Sequence, residues 1–354
     1  MQRRKNLQEL AIELDRQRAT KRDYVADTRA TRVLLKEREG SDIPVPVFEV
    51  REQGEFPMRD HFHTQLATAM KIPRPYYEKM RAEAPALLAG NVNHWLQESP
   101  LRRMVRTLEG DARALMSDSY RPLDNDELAE AIFPALGEAK VEIVSAEITE
   151  RRMYVQATTE RLRADVKRGD TVQAGIIISN SEIGAGSLRV ETMLYRLICL
   201  NGMISGLALR KKHVGRKAEI IEGASEFYRD DTRKADDHAF FLKVRDTVAG
   251  VLSEENFNQH VEKLRGAAER LVTGNPAEAV EVLARQLELR DTEKGSVLSN
   301  LIKGADLSAW GMANAVTAVA HDVTDYDRGV ELERAGAQII ELAPTDWREI
   351  AEAA

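Results

Sequence analysis

The chain has 354 residues, 43% of them hydrophobic and 31% charged, and carries a net charge of −7. That length supports one large domain or two ordinary ones with a sizeable core, while no run of eighteen apolar residues exists to cross a membrane as a helix. One cysteine, Cys199, excludes an internal disulfide and suits a reducing, cytoplasmic setting.

Aromatic residues are only 5% of the chain, so the core is expected to be mostly aliphatic. The opening Met1-Gln2-Arg3-Arg4-Lys5 runs into a charged segment, not the apolar stretch of a secretory leader. Charge is uneven. Residues 1–38 hold eleven Lys/Arg against six Asp/Glu, a balance of +5, and residues 189–217 hold seven against one, a balance of +6. Two basic islands on an acidic chain are candidate anion-binding surfaces, although charge runs are more often solvated faces.

Taken in chain order, residues 3–38 read as a helix with a thin apolar face carried by Leu7, Leu10, Leu14 and later Val33 to Leu35. Pro44 and Pro46 break it, and Val47–Val50 reads as a short strand closed by Gly54 and Pro57. Residues 60–82 and 84–98 form a helical module. Arg102–Leu108 and Ala112–Met116 alternate around Glu109-Gly110-Asp111, a hairpin signal. Asn125 is a plausible N-cap for a helix over 126–136. Val141–Ile148 pairs with Arg152–Thr158, Val172–Asn180 follows, and Leu188–Leu194 returns after the Gly184–Ser187 loop. Tyr195–Ser205 then reads as a helix, giving a β-β-β-β-α centre. Residues 218–275, 276 onward, 292–304, 306–322 and 325–342 read as helices, with Pro276 at a first helical position.

The fold class expected is α+β: a central antiparallel-rich sheet with a helical N-terminal module and a helical C-terminal region. The expected units are a charged helix over 1–45, a small α/β module over 46–118, a strand-rich core over 119–217 and a helical region over 218–354.

Candidate sites lie in the strand-rich core. The loop residues Asn180, Ser181 and Glu182 sit at a strand end beside two glycines, where backbone amides could approach a phosphate; an ordinary hairpin turn explains the same composition. Arg196 and Cys199 would share one helical face, with Asn201 close by, and Cys199 is expected to be a buried core residue. Arg210, Lys211, Lys212, His213, Arg216 and Lys217, with Arg189 and Arg196 ahead of them, are candidate phosphate contacts. No HExxH, CxxC, GxSxG or GxxxxGK[ST] occurs, so neither a catalytic set, a metal set nor a cofactor is assigned.

The ordered set Tyr120-Arg121-Pro122-Leu123-Asp124-Asn125, Gly169-Asp170, Asn180-Ser181, Arg196 to Asn201, His213, and Trp310 with Asn314-Ala315-Val316-Thr317 resembles a family of phage- and plasmid-encoded proteins known as a domain of unknown function. The resemblance covers about residues 60–335. Family members often carry Asn-Ser-His-Asp-Gly in the loop, whereas Glu182 and Ile183 stand here for the His and Asp, so the resemblance does not carry a general-acid or metal role over to this loop. It implies a mobile element in a bacterial host and no known activity.

These readings lead to an expected single-stranded-DNA-binding or annealing protein that forms homo-oligomers and has no membrane partner. Phage annealing proteins are similar in setting a helix behind a curved sheet. One alternative is a metal-dependent nucleic-acid enzyme in which Asp170, Glu182 and Glu191 gather at one sheet end. Another is an oligomeric host-interaction protein without catalysis.

Overall fold

A computed structural model describes residues 6–38, 40–118, 120, 123–211 and 230–354. Helix α1 (Leu7–Thr20) opens with a capping box between Asn6 and Glu9. The helix expected over 3–38 stops there. Strand β1 (Arg22–Asp27), a single 3-10 turn and strand β2 (Thr31–Arg38) follow. β1 carries Tyr24 and Val25 and β2 carries Thr31 and Val33, residues that suit strands, and their partners decide for strand. β1 pairs with β5 (Arg102–Leu108), and β2 pairs with β3 (Ser41–Val50). β3 runs through Pro44 and Pro46, and β4 (Gly54–Pro57) continues that sheet where the sequence reading had only a strand end.

Helices α2 (Asp60–Ala69), α3 (Arg74–Glu83) and α4 (Pro85–Glu98) pack on these strands around Phe48, Phe62, Leu66 and Tyr77. β5 and β6 (Asp111–Ser117) form the expected hairpin. Its turn residues Glu109 and Gly110 both take positive φ, as a two-residue hairpin turn requires.

The strand-rich core is a five-stranded antiparallel meander. Its strands are β7 (Glu142–Ile148), β8 (Met153–Lys167), β9 (Asp170–Asn180), β10 (Leu188–Arg196) and β11 (Asn201–Lys211), in spatial order β11-β10-β9-β8-β7. The helix expected over 195–205 is instead a hairpin, with Arg196 opposite Asn201. Leu200 adopts φ 53°, which closes the turn. Pairing with β9 and β10 outweighs a local helical pattern. The same turn leaves Cys199 exposed, not buried in a core.

Side chains alternate across this sheet. Val155, Ile176, Ile178 and Val190 join one core with Leu10 and Leu14 of α1, and with helices α5 (Asn125–Glu138) and α6 (Asp230–Val251). Tyr154, Ile177 and Ile204 face the other way, against Val330 of α11 (Tyr326–Glu341).

The C-terminal region adds α7 (Glu254–Glu269), α8 (Pro276–Gln286), α9 (Asp291–Gly304), α10 (Ala309–Val319) and α12 (Pro344–Ala351), the last unforeseen. α8 starts on Pro276, as expected, and Asn275 caps it. α10 is buried almost all round, including Trp310, Met312 and Val316, the mark of a central helix. Gly311 lets that helix start close to the preceding loop: a Cβ there would lie 1.8 Å from the Asp306 carbonyl oxygen. Backbone cannot yield as a flexible side chain can. Gly311→Ala is therefore expected to cost on the order of 3 kcal/mol, read as a lower urea midpoint at unchanged m-value; an unchanged midpoint would refute this packing.

Candidate functional site

The loop after β9 is where the parts of the chain meet. Glu182 is 2% exposed, and a carboxylate cannot stay charged out of water without donors around it. Its Oε1 accepts from Lys21 Nζ at 3.1 Å and from the Asn125 backbone N–H at 2.7 Å. Its Oε2 accepts from Arg113 Nη1 at 3.0 Å. The carboxylate thus caps the N-terminus of α5 from a distant loop, where the helix dipole favours negative charge. Arg106, buried among these groups, donates to the Glu182 carbonyl at 3.2 Å and to Asp23 and Asp124 at 2.6 Å each.

Asp124, Asp126 and Glu182 bring carboxylate oxygens within 4.8 Å of one another, a spacing suited to a cation. Lys21 supplies that cation. Its Nζ lies 2.8 Å from Asp124, 3.1 Å from Asp126 and 3.1 Å from Glu182. Burial works against the ammonium, but Glu182 and Asp124 outweigh it and raise the Lys21 pKa. Burial likewise pushes Asp124 upward, and Arg106 and Lys21 outweigh it, so its pKa is lowered. Arg113 is less well compensated: burial lowers its pKa despite Glu182.

The residues that carry the sequence resemblance also bond to one another. Asp170 accepts both Arg196 Nε at 2.6 Å and Arg196 Nη2 at 2.8 Å, and Trp310 Nε1 at 2.8 Å. The Arg196 guanidinium lies 5.7 Å from the Trp310 ring centre. Asn201 donates to Thr317, and Asn180 donates to Asn125 and to the Leu123 carbonyl. Ser181 Oγ accepts the Ala185 N–H inside the loop. Arg196, Asn180, Ser181, Glu182 and Asn201 are therefore committed to internal contacts. Asp170 and Glu182 flank opposite ends of β9, eleven residues long, roughly 35 Å apart at strand rise. Glu191 pairs with Ile177 between them and with Arg334. The expected gathering of Asp170, Glu182 and Glu191 does not occur.

On the α11 side of the sheet a different set assembles. Register places Tyr154, Ser179, Arg189 and Arg210 in one row across β8, β9, β10 and β11. Arg189 and Arg210 are directly opposite, a like-charge pairing that destabilises a sheet unless something compensates it. Arg334 of α11 and Arg152 stand near them. Burial lowers the Arg189 pKa, Glu191 opposes this, and Arg334, Arg152 and Arg210 push it down further. Glu191 is bound by Arg334 at 2.6 and 3.0 Å and lies 3.6 Å from Arg189 Nη1. The Nε of Arg189 and the buried Ser179 hydroxyl have no hydrogen-bond partner among the described residues. Gly186 makes room for Arg152, whose Nη2 donates to the Ala185 carbonyl at 2.9 Å.

Of the basic residues singled out in the sequence, Arg189 and Arg210 come together and Arg196 does not join them. Lys211 ends β11, its side chain undescribed, and Lys212, His213, Arg216 and Lys217 lie outside the described residues. Arg152 and Arg334 were missed, being 182 positions apart in the sequence with no local pattern to join them. Lys21, Arg106 and Arg113 were missed for the same reason.

The architecture defines an α+β protein whose antiparallel meander is held between helices, with a buried ion network at one end. A family model described as Domain of unknown function (DUF932) matches residues 113–338, and the chain belongs to that family. No curated protein and no solved structure matches the chain. Among the described residues no helix is long and apolar enough to cross a membrane.

These ion pairs and histidines set the pH response. Burial pushes His63 down to about 3 and also lowers His61 and His260. Their folded pKa lies below the unfolded value, so stability falls as pH drops below about 6.5. Asp124 contributes stability above its unfolded value near ~3.9 and loses it as pH falls through its lowered folded value. Lys21 contributes fully below ~10.4 and loses it as pH rises through its raised value. The urea midpoint should therefore be flat from about pH 7 to 10 and fall in two acid stages, the second reduced in Asp124→Asn. A midpoint constant down to acid pH would contradict this. Glu182→Gln should cost about 3–5 kcal/mol at neutral pH, because Lys21 and Arg113 lose their shared counter-charge.

Proposed function

We propose that this protein binds single-stranded nucleic acid by its phosphates, through Arg152, Arg189, Arg210 and Arg334, and acts in annealing or recombination of mobile-element DNA of phage or plasmid origin. The observation that carries the reading is the cross-strand opposition of Arg189 and Arg210, with two further guanidinia beside them and one carboxylate, Glu191, shared between Arg334 and Arg189. An arrangement of like charges that costs stability in the free protein is repaid when an anion enters. Guanidinium forks suit phosphate oxygens and read no base, so the binding is sequence-tolerant. The chain continues from Arg210 into Lys211, Lys212, Arg216 and Lys217, which adds positive charge to the same end of the sequence. Asp170, Glu182 and Glu191 stand apart, which favours binding over the metal-enzyme alternative.

The test is fluorescence anisotropy of a labelled oligonucleotide at several salt concentrations. Four phosphate contacts on a single strand give a log–log salt slope of about −3. Arg189→Glu with Arg210→Glu should halve that slope and weaken binding at least about tenfold. Gly186→Ala should weaken it too without unfolding the protein, because the nearest atoms the added methyl meets are the movable end of Arg152. Salt-insensitive binding, or wild-type affinity in the double variant, would sink the proposal, and equal affinity for duplex would remove its single-strand part.

A further inference from the structure

A cleft of about 570 Å³ opens between α1, the start of α2, the β5–β6 turn and the β7–β8 turn. It shares no lining residue with the arginine row. Its volume falls in the range of small-ligand sites. Met58, Leu108 and Ile148 give it an apolar wall, and Arg113, Arg59 and Gln17 bring polar groups to it.

Two of these polar groups are under-used. Arg113, 3% exposed, has five N–H donors. The acceptors shown for it are Glu182 at 3.0 Å and the Glu150 carbonyl at 3.5 Å, and its Nε has no partner. Gln17, 6% exposed, gives its amide N–H to Glu13 at 2.7 Å, which turns its Oε1, also without a partner, away from that carboxylate. The carboxylates at the rim are largely neutralised. Glu13 and Glu109 both hold Arg16, and Asp60 holds Arg81 at 2.9 Å. Glu150 is exposed at the mouth.

A ligand that fits must bring an anionic acceptor to Arg113, hydrogen-bond donors to Gln17 and Glu150, and a flat apolar face to Met58 and Ile148. We propose that the cleft binds a nucleoside monophosphate, with its phosphate on Arg113, its sugar hydroxyls toward Gln17 and Glu150, and its base against the apolar wall. Arg106 and Arg59 both bear on Arg113 and lower its pKa further, so an incoming phosphate relieves repulsion as well as forming hydrogen bonds. The same chemistry is offered by a free mononucleotide and by the 5′-phosphorylated end of a strand.

Calorimetry on the full chain separates these cases. AMP, adenosine and ribose 5-phosphate are titrated in turn, followed by short oligonucleotides with and without a 5′-phosphate. The oligonucleotides are tested on the Arg189→Glu, Arg210→Glu variant, so that loss of the proposed strand-binding row leaves this site readable. AMP binding at least about tenfold tighter than adenosine and than ribose 5-phosphate supports the free nucleotide. Binding confined to the 5′-phosphorylated oligonucleotide supports the strand end. No binding by either, or adenosine binding as tightly as AMP, overturns the proposal. Ile148→Trp, which narrows the mouth without touching the ion network, should weaken AMP at least about tenfold, and wild-type affinity there overturns it. Arg113→Lys keeps a cation for Glu182 but loses the fork, and should weaken AMP and leave adenosine unchanged.

Discussion

One buried carboxylate ties this molecule together. Glu182 has left water, and each of its oxygens must be met by donors from elsewhere in the chain. Those donors come from the residue just after α1, from the middle of β6 and from the first turn of α5. Its carbonyl takes a fourth, from Arg106 in β5. Four segments are thereby fixed to the end of β9. Removing one partner of such a set leaves the others buried and uncompensated, which is why the arrangement is strongly cooperative.

The same constraint explains why the acidic cluster beside α5 is not evidence of a metal centre. Lys21 Nζ stands among Asp124, Asp126 and Glu182 at distances of 2.8 to 3.1 Å. An ammonium there neutralises the carboxylates and anchors the end of α1. This also accounts for the abrupt end of that helix, since Lys21 has extended backbone and its side chain reaches inward. The second network, Asp170 with Arg196 and Trp310, performs the same service at the opposite end of β9, joining the meander to α10.

Between these two locked ends the sheet presents unequal faces. One carries Val155, Ile176, Ile178 and Val190 into a dry core. The other carries Gln156, Glu191, Arg189 and Arg210 toward α11. Gln156 and Glu191 are met there by Glu333 and Arg334, while Arg189 keeps an unmatched N–H. Sheets avoid like charges directly opposite, and the Arg189–Arg210 pair is where this sheet departs from that rule.

Much of the secondary structure was legible in the chain. Glu109-Gly110 announced the hairpin, Pro276 announced a helix start, and the apolar run within Val172–Asn180 announced a strand, because turn chemistry and helix-start signals act over a few residues. Residues 21–38 and 195–205 were misread, because their charge and apolar spacing allow helix while strand partners far along the chain decide otherwise. Glu182 was read from the sequence as a loop candidate, and the structure shows it as the carboxylate that joins four segments. Sequence by itself determined the α+β class, the order of most elements and the basic character of the β10–β11 segment, since these rest on local propensity and composition. Only the tertiary structure decided that Lys21 neutralises Glu182, that Arg196 belongs to Asp170, and that Arg152 and Arg334 stand beside Arg189, because charge pairing across 26 to 182 positions leaves no periodic trace in a linear chain.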